Sequence, residues 1–280
     1  MLNEGKLSYL QEKACILRKD VIEMLAESKS GHPGGSLSAA DIVATLFFHE
    51  MRMDDNDPTW PERDRFVLSK GHAAPILYAA LAEKGYFPRE EIYTLRKINS
   101  RLQGHPDMKK LPGVEFSTGS LGQGASGSVG MALAAKLEKK DWRVYTLIGD
   151  GECQEGLIWE AAMAAAHYKL DNLTAFLDHN GLQIDGDITQ VMNPEPLDQK
   201  WAAFGWHIIK IDGNDIAQIA DALEEAKTIK GKPTMIISAT LKGKGVSFME
   251  NKAEWHGVAP KLDEKEKALA ELDAKLACLI

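Results

Sequence analysis

Two polar residues that each follow an apolar run are the best candidates for metal chemistry in this sequence. Asp150 follows the apolar, β-branched residues 144–148, and Asn180 follows a second apolar run at residues 173–177. An alanine-rich stretch with helical spacing, residues 156–168, lies between the two runs. Two strands joined by such a helix form a parallel, right-handed βαβ unit. Both side chains are therefore expected together at the carboxyl ends of their strands.

The donor atoms at that edge indicate which ion would bind. Asp150 offers a carboxylate, Asn180 offers an amide oxygen, and the turn after it offers a main-chain carbonyl. Hard oxygen donors of this kind suit Mg²⁺ or Ca²⁺, and phosphate oxygens would supply the missing negative ligands. Gly149 and Gly151 let the backbone approach a phosphate closely, and the N-terminus of the following helix favours an anion. The residues therefore predict a diphosphate bridged to the protein by a divalent cation.

Four histidines in turns and loops are candidates for catalysis. His32 and His105 each occupy a Gly-His-Pro turn, which is consistent with two rigidly held donors for hydroxyl groups. His72 follows the apolar residues 65–68, on the side of the sheet assigned to the ligand, and His256 lies in the loop after the last apolar run. Each of the first three also has an ordinary interpretation, as a solvated, turn or helix-capping residue.

The alternation of apolar runs with amphipathic segments predicts an α/β fold with a doubly wound, mostly parallel sheet and helices on both faces. We expect a single domain over residues 1–280, with a C-terminal amphipathic helix at about residues 261–280. The predicted strands are residues 65–68, 144–148, 173–177, 206–211 and 234–240.

Two further features leave alternatives open. Gly124, Gly127 and Gly130 fall three residues apart in a predicted helix, which fits either tight packing inside the domain or a contact between subunits. Lys242 and Lys244, after the last predicted strand, could neutralise a phosphate, although solvated loop lysines are the simpler expectation.

The composition excludes several classes of protein. A chain of 280 residues with 44% hydrophobic and 26% charged residues is ordinary for a globular protein, and a net charge of −8 argues against a general nucleic-acid binder. No apolar run approaches the roughly 20 residues needed to cross a bilayer. Cys15, Cys153 and Cys278 are widely separated and fit a reduced cytosol better than a disulfide framework. We expect a cytoplasmic protein that binds neither nucleic acid nor membrane.

The central segment resembles the thiamine diphosphate motif, in which Gly-Asp-Gly closes one strand and Asn closes the next. The fuller runs GDGECQEGLIWEA and DHNGLQIDG are similar to transketolase. So are SGHPGGSLSAADI around His32, LSKGHAAPILYA around His72 and the His-Gly pair at His256. The resemblance spans essentially the whole chain in the family's order, and it is to the N-terminal, diphosphate-binding part of the family.

The resemblance implies a cofactor and its ligands. The cofactor is thiamine diphosphate with Mg²⁺, for which Ca²⁺ or Mn²⁺ could substitute, and the metal ligands are Asp150, Asn180 and the carbonyl of Leu182. Gly119 would offer its carbonyl to the aminopyrimidine, although this chain has Ser120 where the family commonly has proline. The residues implied to contact the cofactor are His32, His72, Gly119, Leu121, Gly151, Glu160, Asn180, Ile184 and His256.

The resemblance also implies an activity, the transfer of a two-carbon ketol unit from a ketose phosphate to an aldose phosphate. His105 would contact the ketose, and Glu155 and Glu160 match family glutamates that form a buried acidic network between active sites. Pentose and hexose phosphates are the default substrates, and they would place the enzyme in the pentose phosphate pathway. The residues implied in catalysis are His32, His105, His256, Glu155 and Glu160.

Full transketolases continue into a pyrimidine-binding and a C-terminal domain, which this sequence does not contain. The resemblance is therefore to the N-terminal subunit of a split transketolase, active with a complementary C-terminal subunit in an α2β2 assembly. Deoxyxylulose-phosphate synthase is a close alternative, and a catalytically silent regulatory subunit is another. A nicotinamide dehydrogenase is disfavoured because no strand is followed by G-x-G-x-x-G with an acidic residue beyond it.

Overall fold

A five-stranded parallel sheet forms the centre of the chain in the computed structural model, which describes residues 2–279. Its strand order is β1-β2-β3-β7-β6, and all neighbouring strands are parallel. The two short strands β4 and β5 form a separate antiparallel pair. The strands are β1 (Arg65–Leu68), β2 (Val144–Gly149), β3 (Leu173–His179), β4 (Leu182–Gln183), β5 (Gly186–Asp187), β6 (His207–Asp212) and β7 (Thr234–Ala239).

Helices cover both faces of this sheet, as predicted. Helices α1, α3, α4, α9 and α10 pack on one face, and α5, α6 and α8 pack on the other. Within residues 2–279, no helix has both the length and the apolar character needed to cross a membrane. The helices are α1 (Glu4–Ser28), α2 (Pro33–Ser38), α3 (Ala40–Thr45), α4 (Ala74–Glu83), α5 (Gln123–Leu137), α6 (Gly156–His167), α7 (Ile188–Met192), α8 (Leu197–Ala203), α9 (Ile216–Thr228) and α10 (Leu262–Ala277).

The strands are apolar on both sides because both sides are covered. On β2, Tyr145 and Leu147 join the apolar cluster beneath α1 and α4, whereas Val144 and Ile148 join the cluster beneath α5 and α6. This alternation is the two-residue period of a strand buried on two faces. The apolar runs in the sequence therefore identify the central strands.

All five strands predicted for the sheet are confirmed, and only their ends differ. β3 continues two residues beyond the predicted run because Asp178 and His179 still pair with β7, opposite Ser238 and Ala239. The predicted terminal helix at 261–280 is observed as Leu262–Ala277, and residue 280 lies outside the described residues. β3 thus carries a charged side chain, Asp178, into the centre of the sheet.

The three helical glycines of α5 have different surroundings. A Cβ atom at Gly124 would lie 2.6 Å from the Cα of Ser69, and one at Gly127 would lie 2.9 Å from the ring of Phe116. A Cβ atom at Gly130 would have no neighbour within 4 Å among residues 2–279, apart from the backbone of its own helix. Packing inside the domain therefore explains Gly124 and Gly127, while Gly130 faces open space.

Candidate active site

A cavity of about 310 Å³ opens at the carboxyl edge of β1, β2, β3 and β7. Most of the residues that the sequence predicts for the site line this cavity, although they come from widely separated parts of the chain. His105 and Glu160 do not line it. The predicted residues along its wall are His32, His72, Gly119, Leu121, Asp150, Gly151, Glu155, Asn180, Leu182, Ile184 and His256.

The main chain holds the carboxylate of Asp150 in place at the end of β2. Its Oδ1 accepts a hydrogen bond from the N–H of Gly151 at 2.7 Å, and its Oδ2 accepts one from the N–H of Gly181 at 2.6 Å. Asn180 Oδ1 accepts from the N–H of Leu182 at 3.1 Å. Burial, and then the negative charge of Asp178, raise the pKa of Asp150 to about 6. A bound cation would favour the charged form of this carboxylate.

These oxygen donors fit a hard divalent cation. In residues 2–279 there is no group of three or more His, Cys, Asp or Glu side chains that could hold a metal. A cation at this edge would therefore depend on the mixed set of Asp150, Asn180 and the Leu182 carbonyl, completed by ligand oxygens. The carbonyl oxygen of Leu182 accepts one hydrogen bond, from Lys242 at 2.7 Å, and its second lone pair is available to a metal.

Lys242 is buried in the cavity wall, so the expectation that it is a solvated loop lysine is wrong. Only 2% of its surface is exposed, and its Nζ lies 2.9 Å from Nδ1 of His256. Burial, followed by the positive charge of Lys70, lowers its pKa to about 8. Lys244 is half-buried and lines a different groove, between α1 and α10. Lys242 therefore brings a cation to the cavity.

A second buried lysine, Lys70, forms an ion pair with Asp178 below the cavity. Lys70 Nζ also donates to the carbonyl of Gly35 at 2.7 Å, and Asp178 accepts hydrogen bonds from Ser38 and Thr240. Burial acts to raise the pKa of Asp178, but Lys70 and the hydroxyl donors outweigh it and the pKa is lowered. This pair was not predicted from the sequence, in which the available signal was a charged residue, Asp178, directly after an apolar run.

Glu152 is the buried glutamate of the site, and the sequence analysis missed it too. Its carboxylate accepts hydrogen bonds from the Ser69 hydroxyl at 2.5 Å, the N–H of Gly122 at 2.8 Å and the N–H of Gly149 at 3.0 Å. It therefore joins the ends of β1 and β2 to the start of α5. The predicted residues Glu155 and Glu160 are instead exposed in the single chain, so an acidic network made by them stays a prediction.

Three of the predicted histidines form one cluster over the cavity. The ring centroids of His32 and His72 are 5.3 Å apart, those of His32 and His256 are 5.6 Å apart, and His72 stacks on His256 at 5.1 Å. Burial, with neighbouring positive charges, lowers the pKa of His32 to about 4, that of His256 to about 3 and that of His72 well below 6.5. The three imidazoles are therefore neutral at pH 7.

The buried Nδ1 atom of His32 has no hydrogen-bond partner in the described part of the chain. Buried polar atoms are nearly always paired, so an unpaired one on a residue that lines a cavity indicates a position for a ligand or an ordered water. This observation fits a cofactor or substrate polar group beside His32.

His105 does not line the cavity but packs against Gly119, which does. It is exposed, and a Cβ atom at Gly119 would lie only 3.0 Å from the Cγ of His105, so the ring packs directly on that glycine. Although the residue is exposed overall, partial burial of its ring, and then the positive charge of Arg96, lower the pKa of His105. Gly119 therefore contacts both the predicted substrate histidine and the predicted cofactor cavity.

Comparison with known protein families matches residues 11–275 to the family described as transketolase, thiamine diphosphate binding domain. This chain belongs to the transketolase family. The match covers almost the entire chain, and it identifies the cavity-bearing fold as a thiamine diphosphate binding domain.

Two curated relatives of this transketolase-family chain have nearly the same length. A 6-deoxy-6-sulfo-D-fructose transketolase subunit from a Clostridium species is 50% identical, over 94% of this chain and 96% of the relative. An apulose-4-phosphate transketolase subunit from Phocaeicola vulgatus is 44% identical, over 92% of each chain. Transketolase-family chains of this length are therefore known as subunits.

A solved transketolase from Campylobacter jejuni has the same fold. It superposes with a TM-score of 0.88 at 36% sequence identity, over 96% of this chain but only 42% of the Campylobacter chain. This transketolase-family chain therefore spans about two fifths of that protein, and the match confirms the predicted α/β fold.

Proposed function

We propose that this chain is the N-terminal subunit of a split transketolase. With a complementary C-terminal subunit, it transfers a two-carbon ketol unit from a ketose phosphate to an aldose phosphate, using thiamine diphosphate and Mg²⁺. The observation that carries the proposal is the cavity in which the oxygens of Asp150, Asn180 and Leu182 face a cluster of neutral histidines. The names of the two subunit relatives support a divided enzyme.

The chain's own residues would bind the diphosphate end of the cofactor. Asp150, Asn180 and the Leu182 carbonyl would hold Mg²⁺, and the buried ammonium group of Lys242 adds positive charge to the wall that a diphosphate requires, whereas the charge of Lys70 is paired with Asp178. Thiamine diphosphate, when bound, supplies the electron sink that cleavage of a carbon–carbon bond beside a carbonyl needs.

The histidines would serve the substrate. A neutral imidazole donates at one nitrogen and accepts at the other, so it can bind a sugar hydroxyl and move its proton. The unpartnered Nδ1 of His32 supports this role. In His256, the Nδ1 atom already lies within hydrogen-bond distance of Lys242. We place His105 at the ketose, beside Gly119.

The partner subunit would complete the site. Leu121, Glu155 and Ile184 line the cavity, and Ile184 is 68% exposed, which fits a surface that another chain covers. The exposed Glu155 and Glu160 would become buried in the same contact. We infer an α2β2 assembly. Each N-terminal subunit would be a single domain, with one apolar cluster on each face of its sheet.

We place the enzyme in the cytoplasm, in the pentose phosphate pathway, with phosphorylated sugars as substrates. The free cysteines Cys15, Cys153 and Cys278 support a reducing compartment. A second candidate donor is 6-deoxy-6-sulfo-D-fructose, because a relative with 50% identity carries that name.

The first test is to purify the tagged chain from its native cells under gentle conditions and identify any stoichiometric partner by mass spectrometry. The pure chain should bind Mg²⁺–thiamine diphosphate weakly and have no ketol transfer activity, and the complex should be active. Robust turnover by the pure chain would refute the split enzyme. A complex that binds the cofactor without ketol transfer would instead favour a regulatory subunit.

The metal assignment has its own test in the assembled enzyme. Asp150→Ala should abolish Mg²⁺-dependent binding of thiamine diphosphate, measured by calorimetry, because the carboxylate is the only charged ligand in the set. Asp55→Asn is the surface control, since the exposed carboxylate of Asp55 pairs with Lys84 outside the cavity. Unchanged cofactor affinity in Asp150→Ala would remove this residue from the metal site.

A further inference from the structure

The two Gly-His-Pro turns of this chain converge on one arginine. Arg96 lies on the segment that leads into the second turn, with its backbone in the left-handed region at φ 60°. Its N–H donates to the carbonyl of Leu102 at 2.9 Å, which closes this segment into a loop. A non-glycine residue in this conformation is uncommon, so the side chain is placed at some conformational cost.

The guanidinium of Arg96 lies against both turns. Its Nη1 donates to the hydroxyl of Ser30 at 2.9 Å, immediately before the first turn. A Cβ atom at Gly104 would lie 3.0 Å from Cζ of Arg96, and one at Gly31 would lie 4.0 Å from its Nε. The same planar group therefore packs over the glycine that precedes His105 and close to the glycine that precedes His32.

A series of polar contacts joins the segment that carries Arg96, residues 89–97, to α1. Arg89 pairs with the buried Asp20, Tyr93 donates to Glu23, and Lys97 pairs with Glu27 at 2.6 Å. The contact between Arg96 and Ser30 is the next in this series. The α1 positions 20, 23 and 27 follow the spacing of one helical face, and Ser30 follows the end of α1 after Lys29. Arg96 is thus held in a fixed relation to the start of the first turn.

The charge of Arg96 also acts on both imidazoles. For His32, burial is the largest cause of its lowered pKa and Arg96 the second, before His105 and Lys242. For His105, burial is followed by Arg96 alone. One cation therefore favours the neutral form of both histidines.

We propose that Arg96 is a shared positioning residue, whose guanidinium clamps the two Gly-His-Pro turns and sets the separation of the His32 and His105 imidazoles. The proposal rests on the function proposed above, in which both histidines bind the ketose. It adds a residue outside the cavity that controls how the two substrate histidines are presented together.

The geometric part is tested on the full chain without cofactor or partner. Chain labelled with ¹⁵N-histidine should show, in Arg96→Gln, shifted imidazole resonances for both His32 and His105 and higher pKa values for both. His207, which pairs with Glu225 far from the turns, should not move. Lys97→Gln is the matched control because it breaks the neighbouring exposed ion pair with Glu27 without changing either turn.

The outcomes separate clearly. No shift in Arg96→Gln, or a shift in only one of the two histidines, would overturn the clamp. An equal response in Lys97→Gln would also overturn it, because the effect would then come from loosening of the whole segment. Ser30→Ala, which removes only the hydroxyl acceptor, should give a smaller shift at His32.

The functional part is measured in the complex with its partner subunit. Arg96→Lys keeps the charge but cannot lie over both glycines, so kcat for ketol transfer should fall about 10- to 100-fold through misplaced histidines. Binding of thiamine diphosphate to the complex should change much less than kcat, because His32 is the only predicted cofactor contact that Arg96 positions. Unchanged kcat would overturn the positioning role. If the complex has no ketol transfer at all, the proposed function fails while the resonance test still decides the clamp.

Discussion

Buried charges around the cavity are the residues whose role depends most on tertiary structure. Asp150, Asn180 and the histidines could be predicted because they sit at strand ends and in recognisable turns. Lys70, Lys242 and Glu152 sit beside the same strand ends, yet lysine and glutamate are usually solvated. Only the packing of β3, β7 and the loops over them shows that these charged side chains are enclosed, and no local pattern encodes that enclosure.

Removing one partner of the ion pair between Lys70 and Asp178 should destabilise the protein strongly. Lys70→Met leaves Asp178 charged, buried and without its cation, so it should lower the free energy of unfolding by about 3–5 kcal/mol in urea. The double variant Lys70→Met with Asp178→Asn should lose less than the two single variants together. A loss below about 1 kcal/mol for Lys70→Met, the range of an exposed pair, would contradict a buried pair.

Asp20 should make the stability of the protein depend on pH. It is buried in α1 with an unpartnered Oδ2, and burial, opposed by Arg89, raises its pKa from 3.8 to about 6. Because the folded state binds this proton more tightly, the stabilisation is complete below pH 3.8 and is lost as pH rises through 6.

The variant Asp20→Asn removes that titration. Its stability relative to the native sequence should increase between pH 5 and pH 7.5 by roughly 1–3 kcal/mol, since one pKa unit corresponds to about 1.4 kcal/mol. Urea unfolding at both pH values measures the difference, and Asp55→Asn on the surface is the control. A pH-independent difference would show that Asp20 has the same pKa in the folded and unfolded chain.

Among the elements, helix α5 contains two glycines whose surroundings predict opposite effects of an alanine substitution on stability. Gly124→Ala would place a methyl group 2.6 Å from the backbone of Ser69 and push α5 away from β1. We expect a loss of about 1–3 kcal/mol, as for overpacked cores. Gly130→Ala meets no atom within 4 Å and should stabilise the helix by up to about 1 kcal/mol. Thermal unfolding of the two variants tests the pair, and equal effects would contradict the packing described.

The elements themselves were largely predictable from the sequence. The apolar runs gave the five strands because both faces of the sheet are covered, and the alanine-rich run gave α6. The segment from Arg89 to Arg96 was not predictable, because it is held by side-chain contacts to α1 rather than by its own periodicity. The same contacts place Arg96 beside the histidine turns.

For the whole molecule, topology explains why a site can be assembled from distant residues. All strands of the central sheet are parallel, so residues after β1, β2, β3 and β7 meet at one edge. His72, Asp150, Asn180 and His256 each follow one of these strands, and the sequence order alone was enough to bring them together. The distances among the histidines and the burial of the lysines required the packed structure.

The contact between the first and last long helices has a consequence for how the protein is made. Cys15 on α1 donates from its thiol to the carbonyl of Leu272 on α10 at 3.2 Å, and Lys19 pairs with Asp273 at 2.5 Å. At about 5–20 residues per second, a ribosome needs roughly ten to fifty seconds to make the residues between these helices. Throughout that interval one side of α1 has no cover. A translation product interrupted before residue 262 would keep that side of α1 exposed and become a substrate for chaperones and proteases.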